Sequence, residues 1–118
     1  MAQYRISAPA QSDIVDILRH SQTQFGTTAR LRYQELIITA LEDIAAVPNR
    51  IGSSFRDEIA PGLKSFHLYH SRKRAATSKG LVQRPRHIIF YRLAQDQVIE
   101  IVRLLHDAME VRLHLPED

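Results

Sequence analysis

The sequence predicts an α+β domain: an N-terminal strand and a two-helix hairpin packed on a small antiparallel sheet, in the order β-α-α-β-β-β. Three observations point there. Apolar residues recur with helical spacing in two runs between residues 8 and 47. Three strand-like segments follow residue 64, separated by turn-forming residues. The 118 residues, 44% apolar and 25% charged, suffice for one buried core and not two, so one domain over 1–118 is expected.

Taken in order, Tyr4-Arg5-Ile6-Ser7 alternates apolar and polar as a half-buried strand does. Ser7 suits an N-cap and Pro9 the first turn, so a helix is expected over Ala8 to Phe25, with Ile14, Ile17, Leu18 and Phe25 on one face. Gly26 offers a left-handed residue for the reversal, and Thr27 or Thr28 an N-cap for a second helix ending near Val47, before Pro48. Its core stripe is Tyr33, Leu36, Ile37, Ala40, Leu41 and Ile44; Leu31, Ile38 and Ala45 form a flanking stripe. Asn49 to Gly62 reads as an irregular crossing with one short helical turn at Phe55 to Ile59.

Strands are expected at Lys64 to Arg72, Arg86 to Leu93 and Val98 to Leu105. Lys73 to Pro85 between them is a long, polar hairpin loop, mobile in isolation. In the last strand both parities are apolar, which means burial on both faces, by the chain's own tail or by a partner. The tail from His106 to Asp118 allows one helical turn and an extended end.

Composition narrows the chemistry. With no cysteine, disulfide scaffolds, thiolate metal sites and thiol nucleophiles are excluded. His67 and His70, three apart on an expected strand, fall on opposite faces and cannot chelate one metal, so neither metal nor cofactor is expected. The opening residues lack a signal-peptide run and no segment has the ~18 apolar residues of a bilayer span, so a cytoplasmic location without membrane contact is expected.

Net charge is +3 but unevenly placed: residues 1–60 hold six Lys/Arg against seven Asp/Glu, the remainder ten against six. Lys64 to Arg92 has eight basic residues and no acidic one, which reads either as a solvated loop or as a surface for an anionic partner.

The chain resembles, end to end, the ParE branch of the RelE/ParE toxins of bacterial type II toxin-antitoxin modules. The residues carrying the resemblance are Tyr4-Arg5-Ile6-Ser7 with Ala10, Asp13 and Ile17; Phe25-Gly26; Ala29, Tyr33 and Leu36; Pro48-Asn49-Arg50-Ile51-Gly52; and Pro61 through Phe66. The C-terminal part is the most specific: Arg86-His87, Phe90-Tyr91-Arg92, Ile101 through Glu110, and His114-Leu115. The resemblance implies a toxin neutralised by a ParD-like antitoxin in a hetero-oligomer. ParE-type members poison DNA gyrase; RelE-type members cut mRNA on the ribosome. Operator DNA would be met only through the antitoxin. The basic loop Arg72 to Pro85 is longer than in many members, so no role carries over to it.

An mRNA-cleaving centre needs a base, an acid and cations for the phosphorane, for which the candidates are His87, Tyr91, Arg103 and His106. His87 and Tyr91 share a face but stand about 13 Å apart at strand rise, too far to touch one phosphate. Target contact by a gyrase inhibitor would draw on Arg72, Arg74, Arg84, Arg86, Arg103 and His106. Arg103 alternatively pairs with Glu100, Asp13 or Asp16. The antitoxin would meet Leu31, Ile38, Phe90 and Arg92, with the basic segment as a rim. The leading expectation is a non-enzymatic gyrase inhibitor, and the alternative a ribosome-dependent endoribonuclease.

Overall fold

The computed structural model describes residues 3–109. The expected ending at Glu110, His114 and Leu115, like the rest of the tail beyond Met109, lies outside them. β1 (Tyr4–Ile6) leads into α1 (Ala8–Phe25) and α2 (Thr27–Ala46), then β2 (Ser53–Phe55), β3 (Lys64–His67), a 3-10 turn (Leu68–Ser71), β4 (His87–Leu93) and β5 (Ile99–His106). The α+β class and the helical hairpin are as the sequence predicts.

Ser7 caps α1, its hydroxyl accepting from the Ala10 N–H at 3.1 Å and donating to the Val102 carbonyl at 2.8 Å. Gly26, at φ +93, ends α1 and begins α2. Thr27 and Thr28 are therefore not the cap: the reversal is so tight that the glycine serves both helices, and no side chain caps α2. Leu36, Ile37, Ala40, Leu41 and Ile44 are buried against the sheet, while Tyr33 is half-buried. Phe25 is 75% exposed and so does not belong to the packed face of α1.

The strands form one sheet in the order β1-β5-β4-β3-β2. β1 runs parallel to β5 and the other pairs are antiparallel, so the sheet is mixed. Three further details differ from expectation. β2, a three-residue edge strand, occupies part of the supposed irregular crossing, paired with β3. The third strand stops at His67, where the His67 ring accepts from the Tyr69 N–H at 3.0 Å and turns the chain into 3-10 geometry. The basic loop is anchored, not free: Arg74 reaches Asp43 on α2, Ala75 is buried and Val82 packs on the core.

A β-bulge explains the two-sided apolar strand. Phe90 lies opposite Arg103 but Tyr91 lies opposite Ile101, leaving Val102 as the extra residue of β5. The alternation therefore shifts midway. Ile99, Ile101 and Leu104 join the core under the helices with Phe66, Ile89 and Tyr91; Val102 and Leu105 join a second cluster with Phe90. That second face is packed by Ala60 and Leu63, flanked by Ile59. Among the described residues, it is the turn preceding β3 that meets it.

Candidate functional site

The side chains with the most chemistry converge where α2 begins, β4 starts and β5 ends. His87 and His106 are the first cross-strand pair of the β4–β5 ladder, with ring centroids 5.4 Å apart and planes near perpendicular. The Tyr33 hydroxyl stands 2.6 Å from His87 Nδ1 and accepts from the Arg86 backbone N–H at 3.1 Å. The phenol proton has no other acceptor among the described residues, which assigns it to Nδ1 and leaves the proton of the neutral His87 ring on Nε2. Burial pushes His87 down to about 4, assisted by neighbouring His106, and pushes Tyr33 up to about 12. His87 is thus a neutral imidazole near pH 7.

Behind this pair, Asp107 accepts from Arg86 through Nε at 3.1 Å and a terminal nitrogen at 2.9 Å, and its carboxylate lies 3.0 Å from His67 Nε2. The Arg86 contact holds the Asp107 carboxyl below its usual range. His106 Nδ1 accepts from the Ala108 N–H. Beside the histidines opens a cleft of about 650 Å³, between the hairpin and the loop leading into β4, whose walls include Ile17, Ala29, Arg32, Val82 and Arg84. Among the described residues, no group of three His, Asp or Glu is placed to hold a metal ion.

The expected catalytic quartet is not assembled. Only His87 and His106 meet. Tyr91 is buried in the main core, its hydroxyl donating to the Pro48 carbonyl at 2.6 Å. Arg103 is spent on Asp13: Nε and a terminal nitrogen reach the two carboxylate oxygens at 2.7 and 2.8 Å, and the same carboxylate takes the Leu104 N–H at 3.0 Å. This is the structural pairing that the sequence leaves open, and it removes Arg103 from the target-facing set. Tyr33, read from periodicity as core, is the member of this cluster that sequence reasoning misses. A helical stripe position says nothing about where a hydroxyl 6–7 Å from the backbone will end.

The other expected contact residues divide. Arg84 is exposed with no hydrogen bond or ion pair among the described residues. Arg74 and Arg86 are tied to Asp43 and Asp107 but keep side-chain exposures of 61% and 59%. Arg72 lies over the Tyr69 ring, 4.1 Å from its centroid, and donates to its hydroxyl. On the antitoxin side, Leu31 and Ile38 are exposed on α2. Phe90 is fully buried under the Ala60–Leu63 turn and is unavailable to a partner on this surface; Arg92 pairs with Glu100 at 2.8 Å.

Comparison with known proteins agrees with this architecture. Residues 4–111 match the family described as the ParE toxin of type II toxin-antitoxin system, parDE. The chain belongs to this family. It is 30% identical over 115 residues to Toxin ParE1 of Caulobacter vibrioides, covering 98% of this chain and 99% of that one. It is 31% identical over 114 residues to Toxin ParE1 of Mycobacterium tuberculosis, covering 97% and 98%. A solved structure described as the chromosomal ParDE TA system from P. aeruginosa has the same fold, with a TM-score of 0.64 at 17% identity over 90% of this chain and 96% of that chain. No helix among the described residues is long and apolar enough to cross a membrane.

Proposed function

We propose that this ParE-family toxin acts by binding a type II topoisomerase, DNA gyrase, without turnover, and that a ParD-like antitoxin encoded beside it neutralises it in a hetero-oligomer. The observation that carries the reading is the fate of the would-be catalytic groups. Tyr91 and Arg103 are committed to Pro48 and Asp13. A chain that cuts RNA needs such groups free at the phosphate. Gyrase contact falls to the exposed cations near the cleft, Arg84 and Arg86, with Arg74 and Arg72 further along the loop and His106 at its edge.

The antitoxin is assigned to the exposed stripe of α2, where Leu31 and Ile38 stand 38% and 39% exposed. An amphipathic partner helix would lay its apolar face there. Operator DNA would be reached through the antitoxin alone. Inducing the toxin and following DNA supercoiling beside transcript ends tests the proposal: supercoiling should fall while transcripts stay intact. The His87–His106 pair beside Arg84 is the one feature that favours the second reading, an endoribonuclease, and codon-positioned cuts with intact supercoiling would establish it.

A further inference from the structure

The cleft beside His87 has properties that inhibition by surface contact does not require. Its volume, about 650 Å³, lies in the ~300–1,000 Å³ range of small-molecule sites, and it is open to solvent on one side. Its lining includes Arg32, Arg84 and His87 as donors to an anion and, among the described residues, no Asp or Glu. Arg32 and Arg84 have no carboxylate partner among the described residues, and a terminal nitrogen of Arg32 stands 3.5 Å from the position a Cβ would take at Gly80. Because Tyr33 occupies His87 Nδ1, the remaining ring N–H at Nε2 has no acceptor among the described residues, and it is not among their sealed, unpartnered atoms. Ile17, Ala29 and Val82 give the same cleft an apolar part.

We infer that this cleft is a binding site for a nucleoside monophosphate, a ligand with one dianionic end and one flat apolar end. Arg84 and Arg32 take the phosphate oxygens, the guanidinium fork matching them in pairs, and the His87 Nε2–H supplies a further donor. The base lies on the Ile17–Ala29–Val82 wall. No bond is made or broken. The cleft shares Arg84 with the proposed gyrase contact, but nucleotide binding is read on the isolated chain without gyrase, so the two readings succeed or fail by separate measurements.

The test is titration of the full chain, labelled with ¹⁵N, with GMP, with AMP and with inorganic phosphate, followed by NMR and calorimetry. Either nucleotide should bind saturably and shift the His87 Nε2 resonance together with the amides of Ala29 and Val82. Inorganic phosphate should shift His87 alone and bind at least about tenfold more weakly, having no base to bury. Arg84→Ala, an exposed change that leaves the fold intact, should weaken GMP about tenfold, and Arg32→Ala similarly. Shifts scattered over the exposed lysines, equal affinity for phosphate and GMP, or no loss in Arg84→Ala would overturn the assignment. So would an acidic peptide carrying one phenylalanine that occupies the cleft where GMP does not.

Discussion

Asp13 and Arg103 are ninety residues apart in sequence and form a two-pronged ion pair at 2.7 and 2.8 Å. Asp13 also accepts the Leu104 N–H, so one carboxylate ties the second turn of α1 to β5 beyond the point where β1 stops pairing with it. The contact raises the Arg103 pKa further above its ordinary value, and both side chains are largely shielded, at 13% and 22% exposure. Its role is to hold the helical hairpin on the sheet.

Asp13→Ala should therefore destabilise the protein by about 2–4 kcal/mol, because it removes a two-pronged charge-assisted contact from a largely shielded guanidinium and the acceptor of the Leu104 N–H. Arg103→Ala should cost a similar amount and the double variant clearly less than the sum. Urea unfolding of the four proteins measures the coupling. Full stability in Arg103→Ala with toxicity lost would instead make Arg103 a target contact.

Gly52 sits at φ +100, and a Cβ there would stand 2.7 Å from the His70 ring. Gly26, at φ +93, has nothing within 4 Å of the same position. Gly26→Ala should cost about 1 kcal/mol from backbone strain alone, and Gly52→Ala about 2–3 kcal/mol because the ring packed between Phe66 and Tyr69 must also move. Thermal midpoints of the two variants check the order.

Asp43 is buried in α2 and accepts from Ser71 Oγ at 2.7 Å and Arg74 Nε at 2.8 Å. Asp43→Ala should cost about 2–3 kcal/mol and loosen the start of the basic loop. Trypsin should then cut faster after Lys73 and Arg74 than in the unaltered protein, and equal rates would contradict the anchoring role.

His87 carries a pH dependence of defined sign. Its folded pKa is pushed from 6.5 to about 4, so the unfolded chain binds the proton more readily. Its contribution is present above pH 6.5 and is lost as pH falls through 4, to a limit of about 3 kcal/mol. Denaturation midpoints between pH 7 and 4.5 should fall more steeply for the unaltered protein than for His87→Gln.

Much of the architecture was legible because it is written locally. The bounds of α1 follow from Ser7, Pro9 and Gly26, and the core of α2 from the spacing of Leu36 to Ile44. The features that escaped are tertiary. Nothing in the local residues forecasts that β1 would run parallel to β5, that a bulge at Val102 would divide the last strand between two clusters, or that Ala60 and Leu63 would cover the second face. The site divides the same way. His87 and His106 are brought together by strand register, whereas Tyr33 joins them across 54 residues and Tyr91 leaves for Pro48. Charge runs are the least informative: within the acid-free segment, Arg74, Arg86 and Arg92 find carboxylates elsewhere, and Arg84 finds none among the described residues.

The most direct measurement is a gyrase supercoiling assay with the purified toxin titrated against a known amount of enzyme, with ribosome-bound mRNA assayed in parallel. Inhibition by binding predicts that supercoiling activity falls to a plateau near stoichiometric toxin, returns when the antitoxin is added, and leaves the mRNA whole. Undiminished supercoiling, with mRNA cut by toxin far below stoichiometry, would contradict it.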